Sequence, residues 1–147
     1  MHNRYLSIAR DFSRITGLRH CSISANSGEE FYHNILNTAF KEIYETKGTL
    51  TVDLDYTGGY ASSFLDEAFG NLVFDFSLQI VKKHLEIISN QEPHWKKMIE
   101  NDTFEQWEKR RKKKKYPEVT IEHPEWYRII DDVLKKSTWV HPNLQHT

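Results

Sequence analysis

Apolar and polar residues change their spacing several times along this chain, and each change marks an element. Tyr5 to Ala9 reads as a short strand, residues 11–17 as a polar turn, and Arg19 to Ser24 as a second strand. Ser27 stands three residues before Glu30, the spacing of a capping box. Phe31, Ile35, Leu36, Ala39, Phe40 and Ile43 then recur at helical spacing, and Gly48 closes that helix. From Thr49 the period becomes two: Leu50, Val52 and Leu54 alternate with Thr51, Asp53 and Asp55. Gly58 and Gly59 break the strand, because glycine accepts backbone angles that other residues resist. Phe64, Leu65, Ala68, Phe69, Leu72 and Val73 share one face of the helix that follows.

The second half is less regular. Ser77 caps a short helix with Lys82 and Lys83 in its last turn, where cations suit the dipole. Leu85 to Ile88 is a short apolar strand. Pro93 opens a long helix from Glu92 towards Lys114, with a thin stripe of Trp95, Met98, Ile99 and Trp107, and Pro117 ends it. Glu118 to Ile121 is extended. Glu125 to Lys136 reads as a last helix with Trp126, Tyr127, Ile129, Ile130, Val133 and Leu134 on its apolar face, which packs on the body or offers a partner groove. Trp139 to Thr147 reads as a loose tail.

This order predicts an α/β fold: a small mixed sheet of about four strands with helices mainly on one face, plus a C-terminal helical extension. The helix between the first strands and the central strand makes a crossover, which favours a parallel pairing there. A composition shift near Asn101 divides the chain into an α/β domain over 1–100 and a charged helical extension and tail over 101–147.

Composition narrows the function. A chain of 147 residues buries a sizeable core without staples. The single cysteine, Cys21, has no partner for an intrachain disulfide, which fits a reducing cytoplasm and reads as a small, partly buried residue. No apolar run resembles a signal peptide or a membrane span. The histidines at 20, 33, 84, 94, 123 and 141 make no i, i+4 pair, and no metal or cofactor is expected. A formal net charge of −1 argues against strong overall attraction to nucleic acid.

Three places carry candidate chemistry. The loop from Tyr56 to Ser63 joins the central strand to a helix, the position where ligands and partners usually meet α/β sheets. Within it Gly58 and Gly59 shape the bend, and Tyr56 and Tyr60 are candidate partner contacts. Ser63 followed by Asp66 fits a capping box, and Ser62 stands beside it. A phosphate on a helix N-terminus adds about −1.5 to −2 charge without breaking the fold, so Ser62 is a candidate switch.

Asp53-Leu54-Asp55-Tyr56-Thr57 spells the D-x-D-x-T of haloacid-dehalogenase-type phosphatases, in which the first Asp attacks phosphorus and carboxylates hold magnesium. The remaining parts of such a site are not evident, so the phosphatase is the lesser reading and two solvated carboxylates flanking a loop the simpler one. Lys109, Arg110, Arg111, Lys112, Lys113, Lys114 and Lys115 form a cationic run bracketed by Trp107 and Tyr116. It reads either as a solvated helix end or as a nucleic-acid contact in which phosphates meet the cations and bases stack on the rings.

Three segments carry a family resemblance: DFSRITGLRH (Asp11–His20), NSGEEFYHNIL (Asn26–Leu36) and VDLDYTGGYASSFLDEAFGNLV (Val52–Val73). Together they are similar to the bacterial STAS-like domain family of unknown function, over about residues 5 to 90. The resemblance implies a fold like that of STAS domains and anti-sigma-factor antagonists. Those proteins are mostly not enzymes, and dock on protein partners such as GHKL-class ATPase-type kinases or sigma-factor regulators. In the antagonists a loop reading roughly Asp-Ser-Ser-Gly carries a phosphate on its first serine. Ser62 falls at that position here, while the motif's Asp is Ala61 and its Gly is Phe64. The resemblance therefore implies a non-enzymatic, cytoplasmic regulatory module that binds a protein partner, with Ser62 as its switch.

Overall fold

The computed structural model describes residues 2–141. Strands β1 (Asn3–Ser7), β2 (Thr49–Asp53) and β3 (Leu85–Ile88) form one sheet in the order β1-β2-β3, and both pairings are parallel. Its register aligns Leu6, Val52 and Ile87 in one row and Tyr5, Thr51 and Glu86 in the next. The first row is buried, while Tyr5 and Glu86 in the second stand exposed. The period-two pattern around Val52 therefore buries one sheet face and leaves the other to solvent.

The expected strand at Arg19–Ser24 does not form, so the sheet has three strands and is parallel rather than mixed. The segment instead folds on itself: the Ser24 amide donates to the His20 carbonyl, and the Gly17 amide to that of Asn26. Leu18 and Ile23 remain exposed, so pairing with the sheet would have buried no stripe of side chains.

The described residues form five helices. The single turn α1 (Ile8–Asp11) is capped by Ser7. Helix α2 (28–46) starts where the Ser27 hydroxyl accepts from the Glu30 amide at 3.1 Å, as the sequence spacing predicts. Helix α3 (Ser62–Phe76) is the central one, with twelve of its fifteen residues buried. Helix α4 (Leu78–His84) leads into β3, and α5 (93–112) follows. Both α2 and α5 contain one wide π-type turn, Tyr32–Leu36 and Ile99–Thr103.

Helix α5 runs unbroken through residue 100, and Ile99, Phe104 and Trp107 join the core that β2 and α3 build. The Trp107 indole lies against the backbone of α3 at Gly70, where a side chain would collide with the ring.

The stretch expected as a last helix is an antiparallel hairpin, β4 (Trp126–Ile130) with β5 (Val133–Ser137). Asp131 and Asp132 make its two-residue turn with φ of 52° and 63°, the left-handed pair that such turns require. A short apolar run fits either period, and here β-branched Ile129, Ile130 and Val133 take the strand. Tertiary bonds fix the outcome. Asn37 in α2 both donates to the Tyr127 carbonyl (3.0 Å) and accepts its amide (2.8 Å), and Arg128 Nε donates to the buried Asp75 carboxylate at 2.6 Å. The expected tail is described as far as His141, with the Trp139 indole donating to the Val119 carbonyl; residues 142–147 lie outside the described residues.

Candidate functional site

The Tyr56–Ser63 loop leaves the C-terminal end of β2, and two carboxylates fasten its base. Asp53 accepts the Asp55 amide at 2.9 Å and the Tyr5 hydroxyl. Asp55 accepts the amides of Asn90 and Gln91 beyond β3, at 3.1 and 2.9 Å. Both aspartates are buried, so the D-x-D-x-T carboxylates are engaged in tying strand ends together rather than solvated.

Above this base the loop turns through Tyr56, whose φ is 72°, and Gly59, whose φ is 128°. Gly59 is the position that needs glycine; Gly58 keeps an ordinary backbone, with its amide donating to the Arg14 carbonyl. Thr16 adds a hydroxyl bond to the Gly59 carbonyl at 2.8 Å, so the 12–18 segment and the loop form one surface. Tyr56 is 67 % exposed and Ile15 78 %, side chains left open among the described residues. Tyr60 is a wall instead: its hydroxyl donates to the Leu54 carbonyl, and its ring packs on Phe64 and Trp95. The cleft beneath, lined by Leu54, Asp55, Tyr60 and Trp95, holds about 10 Å³, the room of a single water.

Neither serine caps α3. Ala61 takes the N-cap position without a side-chain bond, and Ser62 and Ser63 are the first two helical residues. The expected Ser63–Asp66 capping box fails because Asp66 is held elsewhere, by Arg19 Nη1 at 2.8 Å. The same nitrogen reaches Glu67 at 3.1 Å. Burial pushes the Glu67 carboxyl above its ordinary range despite that contact and the Asn71 amide. Ser62 is exposed and Ser63 half-buried. Beyond this first turn α3 offers no free face, so any docking surface ends with the loop and the opening of the helix.

The cationic run does not form one face. Trp107 is buried, which removes it as a stacking platform. Arg110 lies over its ring, Arg111 pairs with Glu108 at 2.6 Å, and Lys109 pairs with Glu105. Lys112 to Lys115 are exposed. Tyr116 packs beside Phe74 and under Arg128.

A second constellation brings together residues that no local pattern connects. Glu29, fully buried in the first turn of α2, accepts bonds from six groups. Its Oε1 receives His20 Nδ1 (3.2 Å), the Cys21 amide (3.2 Å) and the Thr120 hydroxyl (2.7 Å). Its Oε2 receives the amides of Thr120 and Ile121 and His123 Nε2 (2.7 Å). Burial would push this carboxyl up; the bonds from His123, His20 and Thr120 outweigh it and hold the group far below the ordinary range. The Cys21 thiol sits 3.2 Å from the Ser27 hydroxyl, and burial pushes it up to about 11. His33 stacks on His123 at 4.3 Å, its two ring nitrogens buried without a hydrogen-bond partner. The only sequence sign of this site is the capping box that places Glu29 at the start of a helix.

A groove of about 440 Å³ lies elsewhere, between the start of α4 and the hairpin turn, lined by Asp75, Ser77, Arg111, Asp131 and Asp132. Two of its charged groups are already paired, Asp75 with Arg128 and Arg111 with Glu108.

Fold and loop together define a small α/β protein with a parallel three-stranded sheet and an accessible strand-to-helix bend. Residues 27–95 match the family described as STAS-like domain of unknown function (DUF4325), which agrees with the motif resemblance. The match runs from the cap of α2 through β2, the loop, α3, α4 and β3 to the first residues of α5. No curated protein and no solved structure matches the chain. Among the described residues no helix is long and apolar enough to cross a membrane.

Proposed function

We propose that this protein is a non-enzymatic regulatory module that docks on a protein partner through the Tyr56–Ser63 loop, with Ser62 as a phosphorylation switch. The observation that carries the reading is Ser62 itself: exposed, in the first turn of the central helix, with its hydroxyl outside the cap. A GHKL-class kinase partner would transfer the γ-phosphoryl group of ATP to Ser62 Oγ, releasing ADP and the hydroxyl proton. Free amides and the helix dipole accept the new charge, so the fold survives while an acidic partner surface is repelled. Tyr56 and Ile15 supply apolar anchors beside the switch. The cleft under the loop has no room for a substrate.

The test is capture of partners from the cells that make the protein, with mass spectrometry of the Ser62 peptide. The reading expects an ATP-binding kinase or regulator in the captured set, a phosphate on Ser62, and loss of the partner in Ser62→Asp and Tyr56→Ala. Retention of the same partners by both variants overturns it.

A further inference from the structure

We propose that Cys21, Glu29 and His123, with His20 as the fourth ligand, form a structural site for a divalent transition-metal ion of the zinc class. The Cys21 sulfur, a Glu29 carboxylate oxygen and an imidazole nitrogen of His123 all lie within 4.8 Å of one another. Ligand atoms of tetrahedral zinc stand about 3.4–3.7 Å apart at its usual bond lengths, so an inward shift of about 1 Å brings these three to bonding distance. His20 Nδ1 lies 3.2 Å from the same carboxylate but outside that group of three, so it completes the set by swinging towards the ion. One thiol, two imidazoles and one carboxylate are a donor set that zinc accepts and that magnesium and calcium do not favour.

Two further observations point the same way. The residues come from three separate segments, two of which, 12–27 and 113–125, have no regular structure and converge here. Irregular stretches longer than about twelve residues are uncommon in compact domains unless they serve a function. A metal staple supplies the missing order, because ligands scattered in the unfolded chain are gathered by the ion only on folding. The His33 ring, buried without polar partners in the wide turn of α2, lies parallel to the His123 ring and fixes its plane. Wide turns of this kind are frequent at functional sites.

Binding replaces the hydrogen bond between His123 Nε2 and Glu29 by bonds from both to the ion. The imidazole takes the tautomer with its proton on Nδ1, and the Cys21 thiol proton leaves to solvent. Being nearly closed to water and holding four protein donors, the site is structural rather than catalytic.

The test uses the full chain, stripped with a chelator and then titrated with Zn²⁺ and, separately, with Co²⁺. The site predicts one ion per chain and a rise in melting temperature of about 5–10 °C with Zn²⁺ at a hundredfold excess over its dissociation constant. It also predicts a thiolate-to-cobalt charge-transfer band in the near ultraviolet with Co²⁺, absent in Cys21→Ser. If that variant fails to fold, the cobalt spectrum of the wild-type chain decides alone. No charge-transfer band, no thermal shift, or unchanged zinc affinity in a folded Cys21→Ser overturns the proposal and leaves the Glu29 hydrogen bonds as what holds the two segments.

Discussion

The indole of Trp107 rests on Gly70 so closely that a Cβ built there would stand 2.1 Å from the ring. This contact joins helix α5 to the centre of α3 and makes the charged second half of the chain part of the core. Gly70→Ala is therefore expected to destabilise the protein by about 1–3 kcal/mol, although alanine is the better helix former. Trp107→Ala is expected to cost about 3–5 kcal/mol through the cavity it leaves. Urea midpoints compare the two directly, and a neutral or stabilising Gly70→Ala would show that the indole moves aside freely.

Arg128 joins the hairpin to α3. Its guanidinium pairs with Asp75, which is almost fully buried, and lies over the rings of Phe74 and Tyr116. Arg128→Met leaves that carboxyl, and the Tyr32 hydroxyl bonded to it at 2.5 Å, without their cation. The expected loss is about 3–5 kcal/mol, the usual cost of removing one partner from a buried ion pair. The double variant Arg128→Met/Asp75→Leu should recover part of it, and chemical denaturation of both proteins measures the coupling.

Tyr5 gives a pH signature. Its hydrogen bond to the Asp53 carboxylate, then burial and the charge of Asp53, push its ionisation up to about 12. The folded state holds this proton more tightly than the unfolded chain, so the bond's contribution is complete below about pH 10 and is lost as pH rises through about 12. Tyr5→Phe should cost about 1 kcal/mol at neutral pH, at the low end for a bond to a charged acceptor because Tyr5 is half exposed. Denaturation midpoints of the two proteins should keep a constant separation up to about pH 9 and converge above about pH 10.

Ser62→Asp separates stability from docking. A carboxylate in the first turn of α3 is expected to leave the melting temperature unchanged or raise stability by about 0.3–1 kcal/mol. Ser63→Asp, at a half-buried position, serves as the comparison. A clear drop for Ser62→Asp in a calorimetric scan would mean that the hydroxyl is structural after all.

Much of the fold was legible because its signals are local. The capping serine and period of α2, the alternation of β2, the apolar face of α3 and the short β3 each record the burial of one side of one element. The Arg19–Ser24 and Glu125–Lys136 readings failed for a common reason. A short apolar run fits more than one period, and what chooses is a partner far along the chain, such as Asn37 and Asp75 for the hairpin. The loop was visible as a glycine bend, but not the roles inside it: Tyr60 turned inward, Tyr56 outward, and Arg19 took the Asp66 carboxylate that a cap would have used.

By itself the sequence determined the capped helix α2, the central strand β2, the helix α3 and the likeness of residues 27–95 to the STAS-like family, since each is written in neighbouring positions. Tertiary structure alone decided that Trp107 is core, that Asp53 and Asp55 tie strand ends, and that Cys21, Glu29 and His123 meet. Such meetings depend on how distant segments pack, Glu29 and His123 being 94 residues apart, and no spacing along a chain encodes them.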